Sequence, residues 1–212
     1  MFEIISFVLG PVETNAYLIA DSVSHEAVVI DPAWDGEWIA KQAKQRGWQI
    51  TQIWLTHAHF DHFAGAGALV EAVEPSPTLA LHQAELPLYR LQGGASLFGM
   101  RIDPGPTPQL ELVHGQQLQV GGIKLEVRHA PGHSPGHVVF YCPSEGVVFC
   151  GDVIFQGSIG RTDLPGGNYR TLIQSIREQI LTMPDETRLL SGHGPESSVR
   201  VERIENPFLK GM

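Results

Sequence analysis

The segment "LTHAHFDHFAG", residues 55–65, sets three histidines and an aspartate within the six positions 57–62, directly after the apolar run "ITQIWL". Unpaired imidazoles and carboxylates are expensive to desolvate. Four of them this close together cannot simply be packed into a core. Such a chain must either spread the segment over a solvated loop or gather it around positive charge. The fold therefore has to bring a strand end to a place where further polar groups can meet it.

The rest of the chain does not supply that charge from its own cations. Lys plus Arg is 14 against 23 Asp plus Glu, a net charge of −9. This balance argues against a nucleic-acid surface, which needs a basic footprint, and against an anionic membrane. Only 17% of residues are charged and 42% are hydrophobic, where ordinary globular chains carry roughly 25% charged residues. A sizeable core follows. The 212 residues are read as one domain, 1–212. No apolar run has the length of a transmembrane helix. The start "MFEIISFVLGPVETN" lacks the basic opening and cleavage site of a signal peptide. Cys142 and Cys150 flank a hairpin-turn string, "PSEG", and read as buried reduced thiols of a cytoplasmic protein. Oligomeric state leaves no trace in the sequence.

Short apolar and β-branched runs recur between turn residues: "EIISFVL", "AYLIA", "AVVID", "ITQIWLT" and "TLALH", then "LELV", "IKLEVRHA", "HVVFYC", "GVVFCGD" and "TRLLSGHG". Helical patterns lie between them. One covers 37–46 and stops at Gly47; one covers 63–73; a third, 169–181, has an apolar stripe of Tyr169, Leu172, Ile173, Ile176 and Ile180. The Gly- and Pro-rich stretch 92–109 reads as a long loop joining or covering two similar halves.

Ligand-type residues recur beyond the opening cluster, each just past an apolar strand and beside a Gly/Pro turn. His133 and His137 stand in "APGHSPGH", Asp152 in "VVFCGDVIF" and His193 in "LLSGHGP". Strand ends along one sheet edge bring distant loops together. Imidazoles and carboxylates converging there suit a borderline-soft divalent ion such as zinc. His57, His59, Asp61, His62, His133, Asp152 and His193 are seven donors, too many for one tetrahedral ion and sensible for two that share a carboxylate.

"VVIDPA", "THAHFDH", "PGHSPGH", "GD" and "GHG", in that order, resemble the metallo-β-lactamase superfamily. The longer string "GDVIFQGSIGRTDLPGGNYRTLIQSI" with the terminal "NPFL" resembles its small glyoxalase II-like (hydroxyacylglutathione hydrolase-like) branch. The resemblance implies an α/β fold, a four-layer αβ/βα sandwich of two mixed sheets flanked by helices. It implies that His57, His59 and His133 hold one metal, that Asp61, His62 and His193 hold a second, and that Asp152 bridges them. Asp31 would orient the His-rich loop. The two ions would be zinc, with iron or manganese as alternatives.

Two such ions would activate a bridging hydroxide for attack on a carbonyl. A thioester such as S-lactoylglutathione suits this, because its thiol leaves without much acid help; Asp61 would take the proton of the attacking water. Two other readings stand beside this one. Related persulfide dioxygenases use one iron, here on His57, His133 and Asp152, and a metal-stabilised scaffold would have no activity. The larger glyoxalase II enzymes bind glutathione with a C-terminal extension; here about twenty residues follow His193, so either Arg161 or the 92–109 loop holds the thiol or the substrate is another thioester or ester. Among the remaining residues, His137 is read as either a support of the site or a strand cap. His129 is read as packed, His82 as the start of a helical turn, and His25 and His114 as solvated. Arg161 is expected to pair with Asp163 in a surface loop.

Overall fold

The computed structural model describes residues 1–210. It contains two six-stranded sheets and a two-stranded ribbon. The first sheet runs in sequence order through β1 (Phe2–Leu9), β2 (Thr14–Asp21), β3 (Glu26–Ile30), β4 (Gln49–Trp54), β5 (Thr78–His82) and β6 (Leu110–Leu112). The second is built from β7 (Gln117–Val120), β8 (Ile123–His129), β9 (Val138–Cys142), β10 (Val147–Gly151), β13 (Arg188–Ser191) and β14 (Ser197–Ser198). Its spatial order is β14-β13-β10-β9-β8-β7. The short pair β11 (Ile154–Phe155) and β12 (Ser158–Ile159) projects between β10 and the following helices.

Side-chain alternation explains the layering. On β2, Ala16, Leu18 and Ala20 face a cluster with α1 (Gly36–Gln45) and α3 (Ala66–Ala72), while Tyr17 and Ile19 face the other sheet. On β9, Val138, Phe140 and Cys142 return that contact. Val139 and Tyr141 point outward to Leu172 and Ile176 of the last long helix and to Val199 of α6 (Val199–Glu205). Strands covered on both faces must be apolar at nearly every position, and all eight residues of β2 are buried. The result is helix, sheet, sheet, helix, with three apolar seams. The expected α/β sandwich and its two halves are both present.

The helix over 37–46 is α1, ended by Arg46 and by Gly47 at φ +72°. The helix expected over 63–73 is α3 (Ala66–Ala72), starting three residues later than expected and preceded by a separate short turn, α2 (Phe60–Phe63). Gly65 is the break: its amide donates to Ala33 O at 2.6 Å, a partner outside the helix. α4 (Leu86–Arg90) was not expected. The stripe over 169–181 is α5 (Tyr169–Ser175), capped by Asn168 on Thr171 N, and a π turn, Ile176–Ile180. Leu172, Ile176 and Ile180 are buried, but Tyr169, at the first helical position, is half exposed and is not core. Residues 92–109 open as 3₁₀ turns (Gln92–Phe98) and continue irregularly to β6. Cys142 and Cys150 are free and buried, on either side of the β9–β10 turn. Among the described residues no helix is long and apolar enough to cross a membrane.

Candidate metal centre

β3 and β4 are parallel neighbours, as are β10 and β13, so their C-terminal ends open onto one edge of each sheet. Asp31 follows β3, residues 57–62 follow β4, His133 follows β8, Asp152 follows β10 and His193 follows β13. All of them converge. The two edges are laced together where Asn15 N donates to Gly192 O (2.7 Å) and Asn15 Nδ2 donates to Ser191 O and Gly194 O.

One set of donors is purely imidazole. His57 Nε2, His59 Nδ1 and His133 Nε2 lie 3.0, 2.7 and 3.2 Å from one another. The outer hydrogen bonds fix which nitrogens carry lone pairs. His133 Nδ1 donates to Arg161 O (2.8 Å). Thr56 Oγ1 gives its proton to Asp31 Oδ2 (2.6 Å), so it accepts from His57 Nδ1 (3.0 Å). At least two lone pairs therefore point at the same small space, which is unfavourable unless a cation lies among them.

The second set contains Asp61, His62 and His193. His62 Nδ1 donates to Asp31 Oδ2 (2.9 Å), leaving its Nε2 facing Asp61 Oδ2 at 3.5 Å and Asp152 Oδ1 at 3.3 Å. His193 Nε2 lies 3.2 Å from Asp61 Oδ2. Asp152 reaches both sets, with Oδ2 at 3.6 Å from His133 Nε2 and from His193 Nε2. His62 Nε2 and Asp152 Oδ1 are buried and are not aligned for any hydrogen bond. Buried polar atoms in this state are rare and call for a partner. A divalent cation would serve both atoms as partner, and the surrounding side chains are of the types that hold one. His57, Asp31 and His62 also lie close together, but Asp31 is saturated by Thr56 N (2.8 Å), Thr56 Oγ1 and His62 Nδ1. It orients the histidines. Asp31 reaches them from a left-handed backbone, φ +49°, tolerated better by Asp than by most residues.

Electrostatics divide the two sets. Burial, with neighbouring imidazoles, holds His57 well below the usual histidine range and His59 at about 3. Burial also lowers His133 and His137. For His62 burial works the same way but is outweighed by Asp61, Asp152 and Asp31, so its pKa rises; burial is likewise overcome at His193 by Asp61 and Asp152. Burial would raise Asp61, yet His62 and His193 hold it at about 2. The lowered His57, His59 and His133 and the ionised Asp61 are already in the states that metal binding requires, whereas His62 and His193 are biased toward the protonated form and would release protons on binding.

A pH dependence follows for the metal-free protein. The unfolded chain protonates its histidines near 6.5, whereas folded His59 waits until about 3 and His57, His133 and His137 are also lowered. Below 6.5 the unfolded state binds more protons, so stability falls with falling pH. The raised His62 and His193 are protonated in both states below 6.5 and change stability only above it. Urea unfolding of metal-free protein should therefore show stability declining between pH 6.5 and 3; a flat profile there would contradict this charge assignment.

The remaining sequence expectations divide as follows. His137 supports the site: its Nε2 accepts from Asp152 N (3.0 Å) and its ring stacks on His57 at 4.7 Å. Arg161 pairs with Asp163 through two 2.8 Å contacts. His129 stacks on His82 at 4.5 Å, and His82 accepts from Ala84 N at the start of a 3₁₀ turn. His25 and His114 are exposed. Three contributors had no sequence signal. Thr14 Oγ1 donates to Asp61 Oδ2 (2.9 Å), Asn15 laces the edges, and buried Glu85 accepts from Ala58 N (2.8 Å) and Gly136 N (2.6 Å). Gly192 is needed for space, since a Cβ there would run into Asp152 Oδ1 and lie 2.7 Å from His62 Cε1.

The centre opens into a cleft of about 410 Å³. Besides His59, Asp61, His133, Asp152 and His193, its walls are mostly apolar, with Phe98 and Met100 coming from the 92–109 loop.

A family model described as "Metallo-beta-lactamase superfamily" matches residues 9–193. A "Probable metallo-hydrolase YqgX" of Bacillus subtilis is 44% identical, with 96% of each chain covered. A "Hydroxyacylglutathione hydrolase GloC" of Haemophilus influenzae is 34% identical over 93% of each. Among solved structures, the BLEG-1 B3 metallo-beta-lactamase superposes with a TM-score of 0.91 at 39% identity, covering 100% of both chains. TTHA1623 in a di-iron-bound form gives 0.87 at 40% identity, covering 97% of this chain and 100% of the other.

Proposed function

The chain belongs to the metallo-beta-lactamase superfamily, and from that premise we propose that residues 1–212 form one hydrolase domain with a dinuclear metal centre that cleaves a thioester such as S-lactoylglutathione. The observation that carries this reading is the pair of adjacent donor sets joined by Asp152, with His62 Nε2 and Asp152 Oδ1 buried and unbonded. His57, His59 and His133 would hold one ion, Asp61, His62 and His193 the other, and Asp152 would be common to both. Divalent ions held there supply Lewis acidity for the substrate carbonyl and shift an attacking water toward its ionised form at neutral pH.

The protein's own groups do the positioning. Asp31 and Thr56 keep His57 and His62 in the tautomers that aim lone pairs inward. Thr14 and His193 both address Asp61 Oδ2, which leaves Oδ1 to accept the proton of the attacking water. Held at about 2, Asp61 keeps that proton only briefly. The thiol of a thioester has a pKa of roughly 8.5 by analogy with cysteine and departs as thiolate without a strong acid nearby. The hydroxyacylglutathione hydrolase among the relatives supports the substrate class. Two buried free thiols support a reducing, cytoplasmic setting, and the −9 charge supports a small-molecule substrate over nucleic acid.

Metal analysis of protein purified without chelator, followed by assay on S-lactoylglutathione, tests this. Two divalent ions per chain and hydrolysis abolished by chelation are expected, with zinc the first metal to try and iron next, given the di-iron relative. One iron per chain with oxygen uptake on glutathione persulfide would replace the hydrolase by a dioxygenase. Metal bound with no turnover of any thioester would leave a scaffold.

A further inference from the structure

The cleft beside the metal centre has walls that do not suit a charged thiol carrier. Phe98 and Val12 stand at its rim with 45% and 41% of their surface exposed, unusually open for such side chains. Met100, Phe155 and Leu164 continue the apolar lining, and the ring of Phe98 packs against Phe60 at 5.4 Å. The one Lys or Arg among the lining residues is Arg161. Its guanidinium is already held in a two-point pair by Asp163, which that contact keeps ionised down to about 2. A tripeptide thiol carrying two carboxylates therefore meets no free Lys or Arg there. Exposed apolar side chains grouped around a polar reaction centre are the usual form of a site that binds an apolar group and orients it with a few polar atoms.

Resting on the thioester reading above, we propose that the preferred substrate presents an uncharged, apolar substituent to this wall, and that Phe98, Met100 and Phe155 set specificity for it. A medium-chain or aryl acyl thioester on a small neutral thiol fits; S-lactoylglutathione is then a slower substrate of the same centre. Burial of each methylene against the wall corresponds to roughly a threefold gain in binding. The chemistry itself is unchanged: water adds to the carbonyl and gives a proton to Asp61, and the C–S bond breaks with its electron pair leaving on sulfur. The products are carboxylate, a thiol that has taken up that proton, and one proton released to solvent.

The test uses the metal-loaded protein with N-acetylcysteamine thioesters of acetyl, butyryl, hexanoyl and phenylacetyl groups, beside S-lactoylglutathione. In parallel, the matching thioethers, which cannot be hydrolysed, are titrated by calorimetry. Expected are a kcat/KM that climbs about threefold per methylene up to hexanoyl, a parallel fall in thioether Kd, and a negative heat-capacity change. Phe98→Ala should flatten both series with little change in melting temperature, since the side chain is half exposed. A flat Kd series overturns the proposal. So does a tenfold preference for the glutathione thioester that Arg161→Gln removes. If no thioester is turned over but the Kd series still climbs, the hydrolase reading falls and the apolar subsite stands.

Discussion

Asp152→Asn is expected to lower kcat/KM by about three orders of magnitude and to remove at least one of two bound metal ions, while leaving the melting temperature of the metal-free protein within a few degrees. Asp152 faces both donor sets, with Oδ1 3.3 Å from His62 and Oδ2 3.6 Å from both His133 and His193. Its carboxylate is held ionised, against the effect of burial, by His62, His133 and His193. Asparagine keeps the shape but removes the charge, and turns one oxygen into an amide whose hydrogens point where a cation should sit. Metal ions contribute several kcal/mol to stabilising developing charge, and each 1.36 kcal/mol is a factor of ten in rate. The fold should survive because Gly192 leaves room for an isosteric side chain and the backbone amide of residue 152 keeps its bond to His137. Steady-state kinetics with metal analysis on the same preparation decide it. A variant that retains two ions and a tenth of the activity would show that Asp152 is not shared between them.

How far the sequence carries this site depends on which groups advertise themselves. Histidines and aspartates set just past apolar strands are what let the seven donors be named from their positions, and the structure brings all seven together. The layering was legible for a similar reason. A strand such as β9, apolar at every position, or β2, apolar from Ala16 to Ala20, has to be covered on both faces, and two groups of such strands with helices between them give the sandwich. The parts that were not legible depend on partners far away in the chain. The helix over 63–73 broke because Gly65 bonds to Ala33 rather than within its own turn. Tyr169 fits an apolar stripe by spacing but falls at a helix start, where half of its surface stays exposed. Thr14 and Asn15 lie in "VETNAYL", a string with no motif, and acquire their roles only because β2 runs along the edge where His193 emerges. The chemistry of a site can be written locally; its scaffolding is written in pairs.

Glu85 makes that point measurable. It lies in a 3₁₀ turn (Gln83–Glu85) after β5, is fully buried, and has no cationic side chain among its hydrogen-bond partners. Its Oε2 accepts from Ala58 N, between His57 and His59, and its Oε1 accepts from Gly136 N, beside His137. One carboxylate thus ties the loop after β4 in the first sheet to the loop after β8 in the second. Glu85→Ala leaves two buried amide donors without acceptors, at about 1–3 kcal/mol each, and opens a void besides. A loss of about 4 kcal/mol is expected in urea unfolding of the metal-free protein, a large share of the roughly 5–15 kcal/mol that such chains possess. Glu85→Gln keeps one acceptor and aims an amide donor at the other N–H, so about half that loss is expected. Because both histidine loops then lose their common anchor, metal affinity should fall by about 10- to 100-fold in Glu85→Gln, as it does when groups that orient ligands are altered. Competition titration with a chromophoric chelator reads the affinity. A Glu85→Ala protein destabilised by less than 1 kcal/mol and binding metal normally would mean that the two loops are held by the metal ligands alone.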